Sequence, residues 1–136
     1  MAQQMKPARA GDALTRADLQ KTFDWLTEQA ASLNDEIAKA PDVEAIQEIG
    51  RTQEALRQRA RALVEKQIEL IAGEARISKE HIDSAVKFAD KVIAQIANIK
   101  AKLKKLGSVL DFFAVVLTGR GDKIVEAAFQ LKDELS

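Results

Sequence analysis

The sequence predicts an all-α fold: an antiparallel three-helix bundle with heptad-like apolar stripes, followed by a C-terminal helical hairpin. Apolar residues make up 46% of the 136 residues, with only 6 glycines and 2 prolines, which suits a folded core better than a disordered chain. Apolar positions recur at alternating intervals of three and four residues, which is the period of a helix face and not of a strand. Glycine or proline stands where several of these stretches end.

The first helix is predicted to begin near Thr15 and to end before Pro41. Thr15 followed three residues later by Asp18 matches a capping box, and a residue that precedes proline is disfavoured in helical conformation. The apolar stripe consists of Leu19, Phe23, Leu26, Ala30, Leu33, Ile37 and Ala40. Residues 1–13 are polar and do not resemble a secretory signal, and we interpret them as a flexible arm.

The second helix is predicted from about Asp42 to Ala72, with Gly73 as its stop signal. The short connection after the first helix implies that the two helices are antiparallel. Two glutamines, Gln53 and Gln67, occupy core-facing positions in this stripe. Either they lie at the edge and reach water or backbone, or they are buried and fix the register of the helices.

The third helix is predicted to start after Ser78, with Ile77 packing on Ile82, and to carry an apolar stripe as far as Leu106. Beyond Gly107 the chain either bends or continues as a helix to Thr118, where Gly119 stops it. A last helix follows from about Lys123 to Leu135, with Asp122 as its N-cap. The predicted organisation is a flexible arm over 1–13, a three-helix body over 14–106 and an apolar helical hairpin over 107–136.

Composition excludes several functional classes. The lack of cysteine excludes disulfides, thiolate metal sites and cysteine nucleophiles, and a single histidine excludes a multi-histidine metal site. We therefore expect no catalytic residue, no cofactor and no metal, and we interpret His81 as a solvated or capping side chain. The 21 basic residues balance the 21 acidic ones, and the arginines of 51–61 lie among Glu48, Glu54 and Glu65, so nucleic-acid binding is not expected.

One segment is apolar almost all round its helix, which predicts burial in a core or contact with something apolar. This is the stretch from Val109 to Leu117, interrupted only by Asp111. The lone tryptophan, Trp25, lies on a polar helix face, and tryptophan is frequent at binding hot spots. The candidate interaction residues are Trp25, Phe112, Phe113, Val116 and Leu117.

Lysines are concentrated just before this apolar segment. The candidate basic residues that would face a lipid or a partner are Lys100, Lys102, Lys104 and Lys105. They either interact favourably with the partial negative charge at a helix C-terminus near Leu106, or form a basic collar that contacts an anionic membrane surface.

The functional hypothesis is a non-enzymatic helical protein that acts by protein–protein association, above all self-association through the apolar hairpin. The alternative is a membrane-active or peripheral membrane protein that uses residues 109–129 as a short hydrophobic head. The apolar window of nine residues is too short to span a bilayer. We expect the protein to be cytoplasmic as synthesised, although the lack of cysteine also fits export without a leader.

Overall fold

A computed structural model describes residues 14–73 and 79–136, and these residues are all-helical with no strand among them. This confirms the predicted all-α class, whereas the antiparallel three-helix bundle with a C-terminal hairpin stays a prediction. The predicted flexible arm over 1–13, and the predicted contacts of Ile77 and Ser78 at the start of the third helix, lie outside the described residues. The helices are α1 Arg16–Ser32, α2 Asn34–Ile37, α3 Val43–Glu65, α4 Gln67–Ala72, α5 Lys79–Ala94, α6 Ile99–Val116 and α7 Gly121–Leu135.

Helix α1 begins with the predicted capping box. The Thr15 hydroxyl accepts a hydrogen bond from the Asp18 backbone N–H, and the Asp18 carboxylate accepts one from the Thr15 N–H at 2.8 Å. The helix is shorter than predicted, because it stops at Ser32 and resumes as the single turn α2 after Leu33. Leu33 is fully buried, so the interruption occurs where the chain is held by the core.

Gln53 of α3 is buried, with 7% of its surface exposed. Its Nε2 donates to the Ala30 carbonyl oxygen at 2.9 Å and to the Asn34 Oδ1 at 2.7 Å. A helix end leaves carbonyl groups without partners within the helix, and a buried polar group needs a hydrogen bond. The Ala30 carbonyl also accepts from the Leu33 N–H at 3.3 Å, so Gln53 adds a second donor at the end of α1 and joins α1 to α3.

The second predicted helix is divided in two. Asp42 caps α3 by accepting a hydrogen bond from the Ala45 N–H at 2.8 Å. Lys66 leaves the helical conformation (φ −101°, ψ 13°), and α4 continues to Ala72 before Gly73. The start and the end of this helical stretch therefore agree with the prediction, while the interruption at Lys66 was not predicted.

The predicted third helix is also divided, at residues 95–98 instead of Gly107. Helix α5 ends at Ala94, and α6 begins after Asn98, whose side chain accepts a hydrogen bond from the Ala101 N–H at 3.0 Å. Asparagine favours such N-cap positions over helix interiors. Helix α6 then runs through Gly107 without interruption, so the predicted boundary between residues 106 and 107 does not coincide with a helix end.

The helices α5, α6 and α7 run alternately up and down the molecule. Helices α6 and α7 are antiparallel, since Lys105 Nζ donates to the Glu134 carbonyl oxygen near the start of α6 and the end of α7. Helices α5 and α7 are parallel, since Ser84 contacts Lys132 and His81 contacts Phe129, each pair separated by the same 48 residues. This arrangement places α7 beside both α5 and α6.

Helix α6 also packs along α3, in the same direction. Lys100 pairs with Asp42 where both helices begin, and Arg59 Nε donates to the Leu110 carbonyl oxygen at 3.2 Å further along. Helix α6 is thus covered by α3, α5 and α7. Its buried side chains are Ile99, Leu103, Leu106, Val109, Phe112, Phe113 and Val116.

The turn between α6 and α7 contains a backbone conformation that favours glycine. Gly119 has a φ of 75°, in the left-handed region where a side chain is strained. Glycine as the stop signal is therefore confirmed. The next helix begins two residues earlier than predicted: Arg120 holds the N-cap position, and Asp122 lies within the first turn of α7.

Replacing Gly107 with alanine should stabilise the protein. A Cβ atom at Gly107 would meet nothing within 4 Å, and alanine is favoured over glycine in a helix interior by about 1 kcal/mol. Urea unfolding of Gly107→Ala should show an increase of about 0.5 to 1 kcal/mol. Gly119→Ala is the opposite control, with a loss of about 1 kcal/mol from its positive φ. A loss from Gly107→Ala would contradict a continuous α6.

Candidate interaction surface

The apolar residues predicted to contact a partner lie mainly in the core of a single chain. Phe113 is fully buried, and Phe112 and Val116 are 2% and 1% exposed, whereas Leu117 is half-buried. The rings of Phe112 and Phe113 pack edge to face with centroids 5.1 Å apart. Of the two outcomes predicted for this segment, burial in a core therefore holds for Phe112, Phe113 and Val116, because α3 and α7 pack along α6.

Trp25 joins two helices. Its indole N–H donates to the Asp90 Oδ1 at 2.9 Å, which links α1 to α5, and its half-buried ring packs on the edge of the core. A tryptophan with an apolar body and one polar atom is well suited to such a boundary position. Trp25 thus has a structural role in the folded chain.

Three of the four candidate lysines also have partners within the molecule. Lys100 pairs with Asp42 at 3.6 Å, and Lys102 pairs with Glu36 at 3.3 Å. Lys105 donates to a backbone carbonyl at the end of α7, at 2.8 Å. Lys104 is exposed. Lys100, Lys102 and Lys105 therefore connect the first half of α6 to neighbouring parts of the chain, so the four lysines do not form one free basic collar.

A cleft between α1 and α5 contains the strongest electrostatic perturbation among the described residues. Burial raises the pKa of the Asp83 carboxyl above its ordinary value, and the negative charge of Asp18 raises it further. Lys79, Lys87 and Lys21 act in the opposite direction. Lys79 also pairs with Asp18 at 3.6 Å. A perturbed carboxyl in a cleft can mark a functional site, but here it lies beside the Lys79–Asp18 ion pair that joins the two helices.

A groove runs along the outer side of the α6–α7 hairpin. It consists of two depressions of about 220 and 320 Å³ that share Val115, Ala127 and Gln130. Phe112 and Leu131 line the first depression, so the floor of the groove is largely apolar. Val115 and Ala127 are half-buried, and together they form the middle of the groove. This apolar surface belongs to the hairpin but was not among the predicted contact residues.

The two ends of the groove carry opposite charge. Asp111 and Glu134 line the depression near the end of α7, and Arg120 and Lys123 line the depression near its start, where Glu126 is also present. The sequence contains a signal for this arrangement, because Arg120, Ala127 and Glu134 are spaced by seven residues and share one line along a helix. Reasoning from hydrophobicity alone missed it.

Phe129 is a second feature that the sequence analysis missed. It is 62% exposed on α7, and its ring centroid lies 6.0 Å from that of the half-buried His81 of α5. Other large apolar side chains are also exposed. They are Ile37, Val43, Ile46, Val64 and Ile68.

Two further findings bear on the candidate chemistry. Within residues 14–73 and 79–136, no group of three or more histidine, aspartate or glutamate side chains is placed to hold a metal ion. In the same ranges, no helix combines the length and the apolar character needed to cross a bilayer.

Comparison of the chain with protein-family models, with curated proteins and with solved structures finds no match in any of the three. The assignment of a function therefore depends on the surface of this chain alone.

The two phenylalanines Phe113 and Phe129 should differ sharply in their contribution to stability. Phe113→Ala leaves a cavity in the core and should lower the free energy of unfolding by about 3 to 5 kcal/mol. Phe129→Ala removes an exposed ring and should change it by less than about 0.5 kcal/mol. Urea unfolding at low protein concentration measures both values, and similar losses would contradict the placement of α7.

Asp83→Asn should stabilise the protein at pH 7 and not at pH 3. The pKa of Asp83 is higher in the folded protein than its ordinary value of 3.8, so ionised Asp83 favours the unfolded state. The favourable contribution is complete below 3.8 and is lost as the pH rises through the folded-state pKa. Asparagine does not ionise, so the Asp83→Asn variant does not lose this stability as the pH rises. After allowance for screening by solvent, we expect a gain of about 0.5 kcal/mol at pH 7.

Urea unfolding at the two pH values measures this difference, and Asp24→Asn, which changes an exposed residue of α1 outside the groove, is the control. Equal effects of Asp83→Asn at pH 3 and pH 7 would show that ionisation of this carboxyl does not oppose folding.

Proposed function

We propose that this protein is a non-enzymatic helical module that acts by protein–protein association, and that it self-associates through the groove on the α6–α7 hairpin. The observation that carries the proposal is the groove itself, with an apolar middle at Val115 and Ala127 and opposite charges at its ends. An apolar centre with a polar rim is the usual composition of a protein interface.

The hairpin keeps its predicted role as the element that contacts a partner, but the residues assigned to that contact are different. Phe113 and Val116 support the groove from inside the core, and Phe112 contributes to its floor. The contacts with a partner are assigned to the half-buried and exposed side chains of the outer face. These are Val115, Ala127, Gln130 and the charged residues at the two ends.

A protein partner is favoured over an anionic membrane by the way the lysines are used. Lys100, Lys102 and Lys105 contact acidic side chains or a carbonyl group of the same chain. A lipid surface would compete for these contacts, whereas a protein that docks on the α6–α7 groove leaves them intact. The net charge of zero also gives two copies of the chain no overall repulsion to overcome.

Ala127→Lys should weaken self-association without unfolding the protein. The longer, charged side chain would fill the middle of the groove, while lysine is a good helix former and costs little within α7. The wild type should show a mass that rises above 15.0 kDa with concentration in light scattering, and Ala127→Lys should stay near the monomer mass. Circular dichroism should show the same helical content for both proteins.

Ala114→Lys is the matched control, because Ala114 is an exposed alanine of the same hairpin that does not line the groove. It should associate as the wild type does. A wild type that remains monomeric at every concentration would overturn the proposal, and flotation of that monomer with anionic liposomes would favour the membrane hypothesis instead. Equal weakening by both lysine variants would also count against the groove.

A further inference from the structure

We propose that the second copy docks antiparallel on the α6–α7 groove, about a two-fold axis that passes beside Val115 and Ala127, with Arg120 of each copy opposite Glu134 of the other. This inference rests on the proposed function and specifies its partner and geometry. It follows from the order of residues along α7 and from the shape of the groove.

The charges along one line of α7 favour this arrangement. Arg120 immediately precedes the helix, Ala127 lies seven residues later and Glu134 another seven residues later. Residues at intervals of seven lie on the same side of a helix, and the span from Arg120 to Glu134 is about 21 Å. When two such lines are placed antiparallel with Ala127 at the centre, each arginine meets a glutamate at both ends.

A parallel arrangement would place like charges together, with Arg120 beside Arg120 and Glu134 beside Glu134. Like charges at an interface disfavour the wrong arrangement. The small side chain of Ala127 at the centre allows the two α7 helices to approach closely. Both charged side chains are exposed, and Glu134 accepts a side-chain hydrogen bond from the neighbouring Gln130 at 3.2 Å.

Helix α6 fits the same two-fold axis. Val115 lies opposite Ala127 and lines both depressions. Asp111 lies on one side of Val115, at the acidic end of the groove, and the turn with Gly119 and Arg120 lies on the other side. A two-fold axis at Val115 therefore places Asp111 of one copy near Arg120 of the other. The acidic end of each groove meets a basic end, as an isologous interface requires.

The size of this face predicts a reversible dimer. Helices α6 and α7 present a surface about two helix diameters wide and as long as α7, or about 20 by 22 Å. An interface of this extent is at the small end of specific protein–protein interfaces. The dimer should therefore dissociate on dilution, and its association should weaken as added salt screens the exposed charges.

Charge exchange at the two ends tests the geometry. Arg120→Glu and Glu134→Arg each place like charges at both ends of the homodimer, so each variant alone should associate at least about tenfold more weakly than the wild type. An equimolar mixture of the two variants should recover association, because the heterodimer again has two opposite-charge pairs. Sedimentation analysis of each variant and of the mixture measures this recovery.

Both substitutions are compatible with the folded structure of the single chain. An acidic residue at the start of α7 and a basic residue at its end interact favourably with the helix dipole. The contact of Lys105 uses the backbone carbonyl of residue 134 and is kept. The double variant Arg120→Glu/Glu134→Arg should associate with itself like the wild type, and circular dichroism should confirm that all three variants are folded.

Failure of the geometry is separable from failure of the proposed function. If the wild type associates and Ala127→Lys prevents it, but the mixture of charge variants does not recover association, the antiparallel arrangement is wrong and the groove remains the interface. If the wild type does not associate at all, the proposed function itself fails. Recovery in the mixture and in the double variant would support both.

Discussion

The packing of this protein depends on covering α6. Its second half is apolar on almost every side, and a helix of that kind is stable in water only when several neighbours bury it. The break at residues 95–98 redirects the chain so that α6 packs along α3, and the turn at Gly119 brings α7 to another side of α6. The strip around Asp111 and Val115 stays at the surface and forms one wall of the groove, and Ala114 is exposed outside the groove.

The polar contacts between helices orient the layers around this core. Gln53 joins α1 to α3, Trp25 joins α1 to α5, and Lys102 joins α6 to α2. A hydrogen bond contributes less free energy than burial of a large apolar side chain, but leaving a buried polar group without its partner is costly. These contacts therefore select one register among several that the apolar stripes alone would permit.

Features set by local chemistry could be predicted from the sequence, and features set by distant neighbours could not. The capping box at Thr15 and the stop at Gly119 depend on a few adjacent residues, and both are confirmed. The break before Asn98 and the burial of Phe113 depend on which helices cover α6, which periodicity does not report. The groove is formed only when α6 packs against α7. The sequence shows the spacing of Arg120, Ala127 and Glu134, but it does not show that these residues line a groove.

The parallel pairing of α5 with α7 has a consequence for the order of folding. Contacts such as Ser84 with Lys132 join residues 48 positions apart in the sequence, and closing such a long loop costs more chain entropy than closing the short connection between α1 and α3. Folding slows as contacts become more distant in sequence. The hairpin of α1 and α3 is thus the natural early structure, and α5 gains its second neighbour last, when α7 docks.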